Sequence, residues 1–350
     1  MVILLAEISG RKEKVLKAII QEHILTAEPV GSRTLARKYD FDFSPATIRN
    51  EMADLEEMGL LEQPHTSAGR IPSDKGYRFY VDRLMEGKLE KPVSLKKYLK
   101  ELSRQKSGLE DIMSEMARLL SGMVKYTAIV SEPGFAESKI SRLELLPISK
   151  RKLLLIVITS NGLVNNKVIN LESKLTEEEL DDLNRILSKR LTGKKIQEIT
   201  ESFLQKLEEE LKRRLNYTAR IIKRLEEEIT GILAKEEMKI YLDGTSYILE
   251  QPEFNDLKSL KKILKVLDRK EELRRLVADL EDELEVKIGT ENKLQEMQNC
   301  SLVVATYKLQ GGGTGRVGVI GPTRMEYPRV ISSVDLTAEL ISKIISRSGR

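Results

Sequence analysis

The 350-residue chain carries 59 lysines and arginines against 55 aspartates and glutamates, a formal charge of +4, with 40% hydrophobic residues, 5% aromatics and no tryptophan. This apolar content supports a sizeable core in about two or three domains, while the small net charge does not by itself announce a polyanion binder. One cysteine, Cys300, excludes an intramolecular disulfide and a multi-cysteine zinc site, and two histidines, His23 and His65, leave no basis for a histidine-built metal cluster.

The opening MVILLAE is too short and lacks the basic lead of a signal peptide, and no run approaches the roughly 18 apolar residues of a membrane span, so a cytoplasmic protein with no membrane partner is expected. In KEKVLKAIIQEHIL, apolar Val15, Leu16, Ile19, Ile20 and Ile24 recur at helical spacing until TAEPVG breaks the pattern. SRTLARKY then predicts a shorter helix capped by Ser32, and DFDF turns into SPATIRNEMADLEEMG. Ser44 has the hydroxyl of a preferred N-cap, Pro45 suits the first helical position, and Gly59 suits the stop. Ile48, Met52, Leu55 and Met58 form one stripe of this third helix, which leaves Thr47, Arg49 and Asn50 on its flanks and far side.

Three helices with a tight turn before the third make a helix-turn-helix, whose third helix can enter a major groove about 12 Å wide. The segments 60–63 and 70–71 predict short strands around PHTSAG, a wing, and SDKGYRFYVDRLM predicts a closing helix. Residues 1–85 hold 12 lysines and arginines against 13 aspartates and glutamates, a net charge of −1, so any phosphate footprint is local. Arg33, Arg37, Lys38, Arg49, Arg70, Lys75 and Arg78 gather around the Ser44 helix and the segment after it, whereas acids occupy its far end from Glu51 to Glu57. The candidate duplex-DNA contacts are Arg33, Thr34, Ser44, Thr47, Arg49 and Asn50, with His65, Thr66, Ser67 and Arg70 in the wing. A plain three-helix core is the alternative that this pattern alone leaves open.

EGKLEKPVS (86–94) reads as a polar linker, followed by helical SLKKYLKELSRQ and GLEDIMSEMARLLSGM. TAIVSEP, ISRLELLPI, KLLLIVITS and LVNNKVINL then predict antiparallel strands, and VKIG, SLVVATYKL and RVGVIGP supply more downstream. Helices separate the two strand groups, so the simplest organisation is one α+β domain split by an insertion. Within the insertion, Leu204, Leu207, Leu211, Leu215, Thr218, Ile222, Leu225, Ile229 and Ile232 step by three or four between charged flanks, a seam that packs against a helix of its own chain or of a second copy. GGGTGRVG has dinucleotide-like glycine spacing at Gly313, Gly315 and Gly318, but RVGVIGP is a second strand where a phosphate-binding motif needs a helix, so a glycine-rich hairpin is expected. Cys300 lies in an apolar strand and the histidines lack companions; no catalytic residue, metal or cofactor is assigned.

SPATIRNEMADLEEMGLLEQ followed by PHTSAGRIPSDKGYRFYVD, with EPVGSRTLARKY upstream, resembles the N-terminal region of the HrcA family of heat-inducible transcription repressors. YLDGTSYILEQPEF (241–254), VKIGTEN and CSLVVATYKLQGGGTGRVGVIGPTRMEYPRVISSVD extend the resemblance over nearly the whole chain. It implies a winged helix-turn-helix at 1–86, a GAF-like α+β domain in two parts at 87–172 and 251–350, and an inserted, largely helical dimerisation domain at 173–250. It also implies a homodimer, with Leu211, Leu215, Ile222, Leu225 and Ile229 as dimerisation residues, that represses chaperone operons of the dnaK and groE type from an inverted-repeat (CIRCE-type) operator. Assistance by the chaperonin GroEL belongs to the same implication. A small-molecule-gated regulator of IclR-like architecture is the second reading, and a dinucleotide enzyme a distant third.

Overall fold

The computed structural model describes residues 8, 10–65, 68–87, 108–134, 138–160, 162, 164–171, 174–214, 238–278, 282–310 and 312–348. The fold is α+β, with helices around several antiparallel sheets. The chain opens with α1 (Gly10–Thr26), α2 (Ser32–Lys38) and α3 (Pro45–Glu57), a two-stranded antiparallel pair of β1 (Leu61–Glu62) and β2 (Ile71–Pro72), and α4 (Asp74–Met85). Val15, Leu16, Ile19 and Ile20 of α1 and Ile48, Met52 and Leu55 of α3 are buried, as their helical spacing requires. Ser32 is not a cap: the helix begins at Ser32 itself, with Gly31 in the cap position and no side-chain bond there. The segment SLKKYLKELSRQ lies outside the described residues.

α5 (Leu109–Val124) leads into β3 (Thr127–Ser131), which sits inside a five-stranded antiparallel sheet of order β7-β3-β10-β9-β8. Its other strands are β7 (Ile240–Asp243), β8 (Leu284–Ile288), β9 (Cys300–Lys308) and β10 (Thr314–Pro322). Alternation in these strands serves two cores. Ala128, Val130, Val303, Ala305, Val317 and Val319 face α5 and the C-terminal α10 (Tyr327–Ser348). Ile129, Leu302, Val304 and Ile320 instead join Ile263, Val266 and Leu267 of α8 (Leu257–Asp268) and Leu273 and Val277 of α9 (Lys270–Ala278). With both faces covered, the strands read as continuous apolar runs. The first of these cores continues without a break into α1, α3 and α4.

The strands expected to form one domain divide between two sheets. β4 (Ile140–Ser149), β5 (Lys152–Thr159) and β6 (Val164–Asn170) form a separate three-stranded meander. Its inner residues Leu143, Leu145, Leu155, Val157 and Ile169 pack on Leu183 and Leu187 of α6 (Glu177–Leu191) and on Leu204, Leu207 and Leu211 of α7 (Glu201–Arg214). The short β7, beyond those helices, returns to pair with β3. Consecutive strands joined by tight turns close locally into a meander, and sequence runs of similar composition do not reveal which sheet they enter.

β9 and β10 form a hairpin whose turn holds Gly312 and Gly313 at positive φ. A Cβ on Gly315 would stand 2.2 Å from the Tyr307 ring, so this glycine serves close packing of the hairpin, not a phosphate cradle. Cys300 is fully buried, and burial pushes its thiol up to about 12, an environment for core packing and not for a thiolate. Among the described residues no group of three or more His, Cys, Asp or Glu could hold a metal, and no helix is long and apolar enough to cross a membrane.

Candidate nucleic-acid interface

Helix α3 presents a short polar edge on a fixed base. Ser44 caps it, its hydroxyl accepting from Thr47 N at 3.2 Å and lying 3.1 Å from Thr47 Oγ1, with Pro45 at the first position. Ile48, Met52 and Leu55 clamp the opposite face in the core. Arg49 and Asn50 are exposed and Thr47 is half-buried, with the small exposed side chains of Ala46 and Ala53 beside them. The C-terminal half is different. Lys12 of α1 pairs with Glu51 at 3.0 Å and with Asp54 at 2.8 Å, a single cation shared by two of the acids in this half. The acids are thus confined to the C-terminal half of α3 and partly compensated, and the N-terminal half carries none.

The cations of this region fall into two sets. Lys38 pairs with the buried Glu22, Arg78 with Glu291, and Arg83 with Glu86, so these charges already have carboxylate partners within the chain. Arg33 and Arg37 of α2, Arg49 of α3 and Lys75 of α4 are exposed and carry no ion pair among the described residues. α2, which carries Arg33 and Arg37, packs against α3. Thr34 is half-buried, its amide donating to Gly31 O.

The sequence places Arg70 against phosphate, but in the structure its Nε donates to Glu56 Oε2 at 2.7 Å, and its backbone forms a β-bridge with Val30. The side chain thus ties the base of the β1–β2 pair to the last turn of α3, and a phosphate would have to compete with Glu56 for it. His65 is exposed, its carbonyl accepting from Ala68 N. Thr66 and Ser67 lie outside the described residues. Of the seam residues, Leu211 is 2% exposed in the core of its own chain, and Leu215, Ile222, Leu225 and Ile229 lie outside the described residues.

What the sequence does not announce is the dock between this unit and the five-stranded sheet. Asp74, at the first turn of α4, accepts from Thr290 N at 2.8 Å and from Thr290 Oγ1 at 2.9 Å. One turn later, Arg78 Nε donates to Glu291 Oε1 at 2.8 Å, and its Nη2 donates to Val286 O. Arg324, 9% exposed, donates to Ile24 O at the end of α1 at 2.6 Å and pairs with Glu253 at 2.6 Å. His23 Nδ1 and the Tyr77 hydroxyl are hydrogen-bonded at 2.7 Å, and Tyr77 packs on Tyr327 with ring centroids 5.9 Å apart. Burial, and then the Arg324 charge, lower the His23 imidazole to about 4, so it sits neutral in this dock. Partners about 200 residues apart leave no local spacing signal; the one sequence cue is VKIGTEN, which contains Gly289 to Glu291.

Comparison with known proteins adds to this geometry. A family model described as "HrcA protein C terminal domain" matches residues 110–331. The heat-inducible transcription repressor HrcA of Moorella thermoacetica is 41% identical over 342 residues, covering 97% of this chain and 98% of that relative. The protein of the same name from Symbiobacterium thermophilum is 41% identical over 339 residues, covering 96% and 98%. A crystal structure of a hypothetical protein at 2.2 Å resolution has a TM-score of 0.61 at 23% identity, covering 98% of this chain and all of that one, a likeness of fold.

Proposed function

The chain belongs to the HrcA family of heat-inducible transcription repressors, and from that premise we propose that it represses heat-inducible genes by binding duplex DNA through α2, α3 and the β1–β2 pair, used as a winged helix-turn-helix. The observation that carries the reading is the division of charge in this unit. Glu51 and Asp54 share Lys12 and Glu56 holds Arg70, while Arg33, Arg37 and Arg49 stay exposed without carboxylate partners among the described residues, and α3 also offers the hydrogen-bonding side chains of Thr47 and Asn50. Arginine and asparagine are the residues that make bidentate contacts to guanine and adenine edges, and the flanking arginines supply phosphate contacts. In this reading Ser44, Thr34, His65, Thr66 and Ser67 contact the backbone or the groove edge, and Arg70 fixes the wing to α3.

The family resemblance extends the proposal to an inverted-repeat operator upstream of chaperone operons of the dnaK and groE type, a homodimer matching its two-fold symmetry, and assistance by GroEL. A dimer suits a reading unit with net charge −1, because two linked units gain effective concentration that phosphate attraction alone does not provide. We assign to the inserted dimerisation domain the elements sharing the separate core, β4 through α7, with the five-stranded sheet and its helices as the GAF-like body. The test is a mobility shift at physiological salt, comparing the chaperone operon promoter with a scrambled duplex. Equal affinity for the two would overturn sequence-specific repression.

A further inference from the structure

Helix α8 (Leu257–Asp268) carries one-sided charge. Its apolar face, Ile263, Val266 and Leu267, is buried under the five-stranded sheet. Lys258, Lys261, Lys262 and Lys265 recur at i, i+3, i+4 and i+7, which aligns them in one exposed stripe. None of the four ammonium groups makes an ion pair within 4 Å among the described residues, Lys258 feeling only the neighbouring Asp256 charge, although lysines elsewhere, Lys12, Lys38 and Lys239 among them, do. The acids of the helix stand at its ends. Asp256 is the N-cap, accepting from Lys258 N and Ser259 N at 2.9 Å each, and Asp268 closes the last turn.

The segment leading into α8 is also tied to the N-terminal unit. Arg324 bridges Ile24 O, at the end of α1, to Glu253, and Glu253 stands three residues before the cap of α8. The bridge is nearly buried, so the helix is attached to α1 through a fixed joint.

We propose that the lysine stripe of α8 is a second, sequence-independent contact for duplex DNA, engaging phosphates that flank the site read by α3. Seven residues at about 1.5 Å rise place the four charges along roughly 10 Å, and a duplex presents one charge per about 1.7 Å of its axis, so the stripe faces a comparably dense row of phosphates. A lipid surface fits less well, because a membrane-binding helix presents its apolar face outward, whereas that of α8 is consumed in the core. The proposal rests on the DNA-binding reading and adds a contact that the reading does not require.

The test uses the full chain with Lys258→Gln, Lys261→Gln, Lys262→Gln and Lys265→Gln combined, and a second variant with the same four positions changed to Arg. Affinity is measured from about 50 to 200 mM salt on a minimal operator and on one extended by about two helical turns each side. Every phosphate that is no longer neutralised flattens the slope of log affinity against log salt by about 0.9, so four engaged lysines flatten it by about 3.6 per protomer on the extended duplex. The expected result is that flattening with Gln, recovery with Arg, and preserved preference for operator over scrambled sequence in both. An unchanged slope in a folded Gln variant that still prefers operator overturns the lysine contact and leaves the repressor reading intact. Wild-type protein that does not distinguish operator from scrambled duplex overturns the repressor reading, whatever the lysines do. Loss of binding to phosphatidylserine vesicles by the Gln variant, with DNA slopes unchanged, assigns the stripe to lipid and overturns the proposal.

Discussion

Gly289→Ala is expected to break the grip of the sheet on α4. Gly289 has φ +52°, and a Cβ there would stand 2.2 Å from both carboxylate oxygens of Asp74. Alanine at positive φ costs about 1 kcal/mol or somewhat more. The larger part is the displaced carboxylate, which gives up the Thr290 amide at 2.8 Å and the Thr290 hydroxyl at 2.9 Å, charge-assisted bonds worth about 1.5 to 3 kcal/mol each when fully buried. Asp74 is only half-buried, so water recovers part of that, and about 2 to 4 kcal/mol remains in all. A double-mutant cycle with Asp74→Ala, followed by urea denaturation, isolates the clash. Once the carboxylate is gone, Gly289→Ala should cost only the backbone term, leaving a coupling of about 1 to 3 kcal/mol. Equal costs in the two backgrounds would refute the account of this contact as a steric and electrostatic latch.

Arg49→Ala and Asn50→Ala should each lose about 1 to 3 kcal/mol of operator affinity while keeping the melting temperature, as measured by fluorescence anisotropy; a folded variant with wild-type affinity removes that residue from the reading edge. Ser44→Ala should lower stability by about 1 kcal/mol through loss of the bond from Thr47 N, and a midpoint indistinguishable from wild type would show the cap is redundant. His23 gives a pH signature: the unfolded imidazole protonates near 6.5 and the folded one resists down to about 4, so folded-state stability falls as pH drops through that window and the loss stops growing below it. His23→Gln should remove that part of the slope in denaturation midpoints collected between pH 4 and 7, and an unchanged slope would place its origin elsewhere.

Much of the reading unit is legible in the sequence because its determinants are local. Ser44 with Pro45 starts a helix, Gly59 at φ +73° ends one, and Ile48, Met52 and Leu55 point inward by period alone. The glycine-rich hairpin follows for the same reason, a strand after glycines excluding a helix-borne phosphate site. Pairings across distance are not legible. Arg70 has the marks of a phosphate contact, yet Glu56, fourteen residues earlier, takes its guanidinium. KLLLIVIT, the β5 run, has the composition of a strand buried on both faces, but it enters the meander, where Leu154 and Ile156 on its outer side are only half-buried. Asp74 and Thr290 lie 216 residues apart and meet only through the tertiary fold.

The welded joint at Asp74, Arg78 and Arg324 bears on how a dimer could tolerate variation in its operator. A reading head on a loose tether can rotate to follow half-sites that shift along the duplex. Here the head shares its core with the body, so two such heads would be held at a set rotational phase. Inserting one base pair between half-sites turns one relative to the other by about 35° around the DNA axis and moves it about 3.4 Å away, a mismatch that the joint cannot absorb by swivelling. Spacing, and not only base sequence, would then be part of what the two heads recognise, with tolerance returning when a full helical turn is inserted and both half-sites again face the same side of the double helix.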